Sequence, residues 1–294
     1  MTDIDRFLEQ EKTKIDLALQ EYMPRTGPPA VTGAMLYSLE AGGKRLRPIL
    51  VIATARTLGS EDSSIDRVAC ALEYIHTYSL IHDDLPAMDD SALRRGKPSC
   101  HCVFGEAVAI LAGDALLTLA FETAAAYGAR AGYEQRGLQI MAELSAAAGV
   151  EGMIGGQVLD LEAEGKDPGL AGIEEICRLK TGALLKAAVR CGALAAKADA
   201  SDLDALTVYA SCIGTAFQIV DDLLDYESTT DQLGKPAGSD ARRSKATYPA
   251  LLGPEKAREK AEALHRQALS ALDGLSCDPW LLRELARKMV YRKK

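Results

Sequence analysis

Histidine is scarce in this 294-residue chain, at four residues, and no two cysteines are spaced as CxxC. The first shortage argues against hydrolases that gather several histidines around metal, such as the all-helical HD type that His76 and the pair His82-Asp83 would otherwise suggest. The second argues against structural zinc, since Cys100-His101-Cys102 is too tightly spaced to make such a site alone. An odd total of seven cysteines fits a reduced compartment better than a disulfide framework. Positive charge is not in excess either, and a net charge of -8 weighs against nucleic acid as a partner. Met1-Thr2-Asp3-Ile4-Asp5 lacks the basic-then-apolar pattern of a signal peptide. No unbroken apolar run of about eighteen residues is expected, because the most apolar stretches carry Asp114 and Glu122, or Lys186 and Arg190. A soluble cytoplasmic protein without a membrane span is the resulting expectation.

Alternating strand patterns, Asn-Gly turns, heptad arrays, short repeats and an interdomain linker are also missing. What is there is helical. Ile4, Phe7, Leu8, Ile15, Ala18, Leu19 and Tyr22 recur at three- and four-residue spacing up to Pro24. Further helices are predicted near 30-41, 46-58, 64-84, 104-127, 134-149, 172-196, 202-226, 245-251, 254-272 and 279-292. A chain of this length can bury a large core, so one all-α domain over 1-294, a helical bundle around a central cavity, is expected.

Two acidic segments follow directly on apolar runs: Asp83-Asp84-Leu85-Pro86-Ala87-Met88-Asp89-Asp90, and Asp221-Asp222-Leu223-Leu224-Asp225. Carboxylates crowded into a low-dielectric site need opposing charge, and clustered oxygens with phosphate oxygens suit Mg²⁺. Asp221 and Asp225 fall on one helix face with Asp222 beside them. Asp83 and Asp89 would diverge on an ideal helix, but Pro86 must kink or end it and can swing Asp89 back. Cations are concentrated nearby in sequence, at Lys44-Arg45-Leu46-Arg47 and Arg94-Arg95-Gly96-Lys97. A metal-bridged diphosphate is the ligand these residues point to.

Gly42-Gly43-Lys44-Arg45-Leu46-Arg47-Pro48, the DDxxxxD at 83 to 89 with Leu93-Arg94-Arg95-Gly96, Gly155-Gly156-Gln157-Val158-Leu159-Asp160, Lys180-Thr181-Gly182 and Phe217 to Asp225 together resemble the motif series of the trans-isoprenyl diphosphate synthases. The insert Leu85-Pro86-Ala87-Met88, with Tyr78 five residues before Asp83, resembles the bacterial farnesyl diphosphate synthase subgroup, although Ser91 and Ala92 stand where that group continues with aspartates. The resemblance implies Mg²⁺ (or Mn²⁺), roughly three ions with substrate bound, held by Asp83, Asp84, Asp89, Asp221, Asp222 and Asp225. It implies an isopentenyl diphosphate site at Lys44, Arg47, His76 and Arg95, and an allylic diphosphate site at Arg94, Lys180, Thr181, Gln218, Lys235 and Lys245. Lys180, Thr181 and Gln218 would lie near the ionising carbon, Gln157 and Asp160 would support them, and Tyr78 and Ser79 would limit product length. The basic tail Tyr291-Arg292-Lys293-Lys294 is either frayed or a lid. The family implies a homodimer acting on isoprenoid diphosphates. Geranylgeranyl or geranyl diphosphate synthase, terpene cyclase and inactive partner subunit are the alternative readings.

Overall fold

The computed structural model describes residues 2–227 and 247–292. Lys235, Lys245 and the first residues of the helix predicted at 245-251 lie outside them. The chain forms two compact units, Met1–Ile52 with Asp62–Met141, and Ala53–Glu61 with Ala142–Lys294. Both are helical, as the spacing predicts.

In the first unit, helix α1 (Asp3–Glu21) begins at a capping box, in which Thr2 and Asp5 exchange hydrogen bonds and satisfy two otherwise orphaned amides. It ends at Glu21, ahead of Pro24. Helix α2 (Pro29–Leu39) and the start of α3 (Leu46–Thr57) follow. Helix α4 (Ile65–Asp83) is buried along nearly its whole length, from Ile65 to Ile81, and packs against α6 (Glu106–Gly128). Tyr74 of α4 donates from its hydroxyl to the carbonyl of Leu19 at 2.8 Å, tying α1 to this pair. Between α4 and α6 lie a two-residue antiparallel hairpin, β1 (Leu93–Arg94) with β2 (Lys97–Pro98), and a single-turn helix α5 (Cys100–Phe104). The hairpin carries no strand periodicity in the sequence because two residues are too few to show one. Helix α7 is Glu134–Ala148, and its Gly137 meets Gly128 where any Cβ would collide with backbone.

The second unit is built on α11 (Ala200–Glu227), against which α10 (Ala183–Ala195), α13 (Pro254–Ala271) and α14 (Trp280–Val290) pack. Ala216, Ile219, Val220 and Leu223 of α11 share a core with Ile173, Tyr248, Ala257 and Val290. Helix α12 is the short Tyr248–Leu252. The helix predicted over 172-196 proves to be α9 (Gly169–Cys177), a π-helical segment Arg178–Gly182, and α10. Helix α8 (Met153–Ala163) is absent from the sequence-based expectation, because Gly155-Gly156 weakens its propensity. Packing overrides that weakness. A Cβ on Gly156 would stand 2.2 Å from the Lys180 amide nitrogen, so glycine is what lets α8 lie against the π segment.

All seven cysteines are free thiols, five of them buried. Helices α6 and α11 are long and apolar enough to cross a membrane by length and composition, although Asp114 and Glu122 interrupt the apolar run of α6. About half of each stretch, 44% and 50%, is buried within the protein, as for the core helices of an all-α fold.

One ion-pair cluster holds the first unit where the chain turns from α2 into α3. Arg45, in the left-handed backbone region at φ 49°, donates to Glu73 at 2.7 Å, to Asp16 at 2.7 Å and to the Leu39 carbonyl at 2.6 Å. Both Arg45 and Glu73 are buried. Removing one partner of such a pair leaves an uncompensated buried charge. Arg45→Ala should therefore lower the unfolding free energy by about 3–5 kcal/mol, read from the urea midpoint at unchanged slope. A loss under about 1 kcal/mol would show that water replaces the guanidinium there.

Candidate active site

The charges of four arginines reach one imidazole in the first unit. Burial first, and then the charges of Arg47, Arg95, Arg94 and Arg45, hold His76 well below the usual imidazole value. Arg95 reaches this place across Gly43, whose φ of 136° and missing Cβ leave room for the guanidinium; a Cβ would meet Arg95 Nη1 at 2.6 Å. Arg95 itself has φ 54°, a conformation that costs a non-glycine residue free energy and that the hairpin imposes. Lys44 is exposed beside this cluster in sequence, whereas Arg45 faces inward to Glu73 and Asp16. The two adjacent basic residues thus have opposite duties.

The first acidic segment leaves α4 as Pro86 requires. Helix α4 ends at Asp83, and the chain turns so that the Asp89 amide donates to the Asp83 carbonyl at 2.8 Å. Asp90, at φ 45°, and Ser91 close the turn by bonding the carbonyls of Leu85 and Asp84. Asp83 and Asp89 are half-buried neighbours. Asp84 is different. It is buried and gripped by Arg94, whose Nε bonds both carboxylate oxygens at 3.0 and 3.1 Å while Nη2 bonds Oδ1. Burial pushes the Asp84 carboxyl up more than Arg94 draws it down, the expected balance for a desolvated pair. The pair borders a cavity of about 30 Å³, room for one water molecule.

One turn back along α4, Tyr78 is 5% exposed, and its hydroxyl is buried with no hydrogen-bond partner. Burial and the charge of Asp83 push that hydroxyl up to about 12. Ser79 spends its hydroxyl on the His76 carbonyl at 2.9 Å.

In the second unit the π segment presents Lys180 and Thr181, and π turns inside helices are frequent at functional sites. Lys180 Nζ is held by Asp160 of α8 at 2.6 Å. Thr181 donates to Gln218 Oε1 at 2.8 Å, and Gln218 Nε2 donates to Asp222 Oδ1 at 2.8 Å. The other oxygen of Asp222 accepts the Tyr248 amide at 3.2 Å, at the start of α12. Gln157, by contrast, has both amide atoms buried without a partner.

The second acidic segment divides its carboxylates between interior and surface. Asp222 and Asp225 are buried, and the carboxylate presented outward is that of Asp221, 50% exposed. Arg292 bonds Asp221 at 2.7 Å, donates to the Phe217 carbonyl at 3.0 Å and lies 3.8 Å over the Phe217 ring. The described part of the basic tail is therefore anchored rather than frayed. Its only sequence signal was positive charge. Among the described residues, no three His, Cys, Asp or Glu side chains converge to hold a metal ion.

The depressed His76 gives a pH signature. The unfolded chain takes up a proton near pH 6.5 that the folded site resists, so this contribution to stability is present above that value and is lost as pH falls below it, by at most about 1.4 kcal/mol per pH unit. Between about pH 7.5 and about pH 5.5 the unfolding temperature of the unsubstituted protein should fall further than that of His76→Asn. Equal falls would remove His76 as the cause.

Known proteins resemble this chain in sequence and fold. Residues 28–273 match the family model for polyprenyl synthetase. The chain is 50% identical over 268 residues to the farnesyl diphosphate synthase of Escherichia coli, covering 90% of each chain. The crystal structure of an FPP/GFPP synthase from Zymomonas mobilis superimposes with a TM-score of 0.87 at 39% identity, covering 98% of this chain and 99% of that one. That of a geranyltransferase from Helicobacter pylori, complexed with magnesium and isoprenyl diphosphate, does so with a TM-score of 0.85 at 30% identity, covering 99% and 97%. With its acidic turn, its basic cluster and a match across most of its length, this chain belongs to the polyprenyl synthetase family.

Proposed function

We propose that this chain joins an allylic diphosphate, dimethylallyl or geranyl, to isopentenyl diphosphate and releases farnesyl diphosphate. The observation that carries this reading is the cation cluster around a neutral His76, in the same unit as the acidic turn of Asp83 and Asp89. A terpene cyclase needs no second diphosphate site, and an inactive partner has no reason to keep the aspartates. The 50% identical Escherichia coli protein, named for the same product, supports it.

Asp83, Asp89 and Asp221 offer hard oxygen donors that suit Mg²⁺, and the Helicobacter pylori relative was crystallised with magnesium. Among the described residues few protein oxygens gather in one place, so diphosphate oxygens and water would complete each coordination shell. Mg²⁺ there would act as a Lewis acid that neutralises the leaving diphosphate. The side chains do the rest. Arg94 and Lys180 bind allylic diphosphate oxygens; Arg47, Arg95, Lys44 and the neutral His76 bind those of isopentenyl diphosphate. Thr181, whose proton points to Gln218, turns oxygen lone pairs toward the electron-poor allylic carbon. The carbon–oxygen bond breaks, the π electrons of isopentenyl diphosphate form the new carbon–carbon bond, and a proton leaves to the departed diphosphate.

We assign product length to Tyr78, whose ring is buried five residues before Asp83 with its hydroxyl unbonded, as the floor of the tail cavity. Ser79 lies beside it in sequence, and a bulky side chain there would raise the floor. A longer product is the second reading, because the Zymomonas mobilis protein is named for two products. We also propose a homodimer in the cytoplasm: Ile110 and Leu111 of α6, 44% and 53% exposed, offer apolar surface that a second copy would cover, and seven free cysteines suit a reducing compartment.

Asp83→Ala or Asp221→Ala should lower turnover by about a hundredfold or more with helix content unchanged, and excess chelator should abolish activity. Turnover that survives chelation would rule out the metal. Tyr78→Ala should shift product from farnesyl to geranylgeranyl or longer chains, and Ser79→Phe toward geranyl, by mass spectrometry of the dephosphorylated alcohols. An unchanged farnesyl product from both would place the floor elsewhere.

A further inference from the structure

His82 takes no part in the chemistry above, yet three contacts fix its ring. It stands one turn after Tyr78 on the same face of α4, and the two rings meet edge to face with centroids 5.7 Å apart and planes at 76°. Its Nε2 lies 3.0 Å from the Ile110 carbonyl of α6; a carbonyl only accepts, so Nε2 carries the proton. Its third neighbour is Gly113, where a Cβ would stand 2.1 Å from Nε2 and 2.5 Å from Cδ2. Gly113 is an ordinary helical residue, so its glycine is explained by this notch and not by backbone conformation. Asp114 is 4.0 Å from the same nitrogen but largely exposed, a weaker hold than the carbonyl.

Tyr78 needs such a support. Its hydroxyl has no partner, so no hydrogen bond orients the phenol, and only packing determines where the ring sits. We infer that His82, seated in the notch left by Gly113 and bonded to Ile110, is a positioning residue that holds the Tyr78 ring in place, so that His82 and Gly113 set product length together with Tyr78. This rests on Tyr78 being the floor of the tail cavity. Loss of the imidazole frees the phenol to swing into the vacated space and deepens the cavity; a methyl at Gly113 evicts the imidazole and does the same.

The test compares product ratios from geranyl and isopentenyl diphosphates for the full chain and for Tyr78→Ala, His82→Ala, Gly113→Ala and the combination of Tyr78→Ala with His82→Ala. The ratio of geranylgeranyl to farnesyl product is internal to each sample, so partial misfolding or slower turnover beside Asp83 does not alter it. His82→Ala and Gly113→Ala should each raise it by about tenfold, and the combination should exceed Tyr78→Ala alone by less than about twofold, because His82 acts through the ring that is already gone. If Tyr78→Ala lengthens the product while His82→Ala and Gly113→Ala leave the ratio unchanged, the positioning role is overturned and the floor stands. If His82→Ala lengthens the product as much without Tyr78 as with it, His82 is a wall in its own right and the inference fails. If Tyr78→Ala changes nothing, the floor itself is misplaced and the inference falls with it.

Discussion

A carboxylate taken out of water needs a partner, and in both units that partner is repeatedly a cation. Asp84 is held by Arg94, Asp221 by Arg292, Asp160 by Lys180, and the deeply buried Glu73 by Arg45. These pairs are not chiefly a source of stability, since desolvation offsets most of their attraction. What they supply is a set of charges already fixed in place. On the proposed function, a diphosphate that takes Arg94 removes the counter-charge from Asp84, and a second cation must arrive there. Electroneutrality then couples anion binding to metal binding without any large movement.

The backbone bears some of the cost of this placement. Of the four non-glycine residues with positive φ among the described residues, three, Arg45, Asp90 and Arg95, lie in the basic and acidic motifs. Each sits at a turn where its neighbours determine the conformation: Arg45 by its three hydrogen-bonding partners, Asp90 by the turn after Pro86, Arg95 by the hairpin. Strain gathered at such positions is characteristic of sites whose geometry matters more than their local stability.

Much of this was legible in the residues themselves. Three- and four-residue apolar spacing finds α1, α4, α6 and α11 because their buried faces are long, and Pro86 announces the turn that returns Asp89 to Asp83. The basic residues beside the acidic segment are equally plain. Local pattern has no access to what distant residues impose. Helix α8 forms despite Gly155-Gly156 because the π segment packs on it, and the π turn leaves no mark on the apolar spacing of 172-196. Arg45 and Lys44 look alike in sequence and part company only when Glu73 is in place. That Asp222 would spend its oxygens on Gln218 and the Tyr248 amide, while Asp221 faces outward, depends on residues 26 apart.

The π turn at Arg178–Gly182 alters the helix on either side of it. A π turn amounts to one extra residue inserted into an α-helix, absorbed within a single widened loop of backbone. The residues after it keep their inward pattern, with Leu184, Leu185, Ala188 and Val189 all buried, while Lys180 and Thr181 are displaced from the ordinary hydrogen-bond ladder. Packing and the side-chain contacts of Lys180 and Thr181 thereby fall to different residues of one continuous rod. On the proposed function, substitutions that tune Lys180 and Thr181 can accumulate there without loosening the core, and a lineage could change what this helix does to a substrate while leaving how it folds untouched.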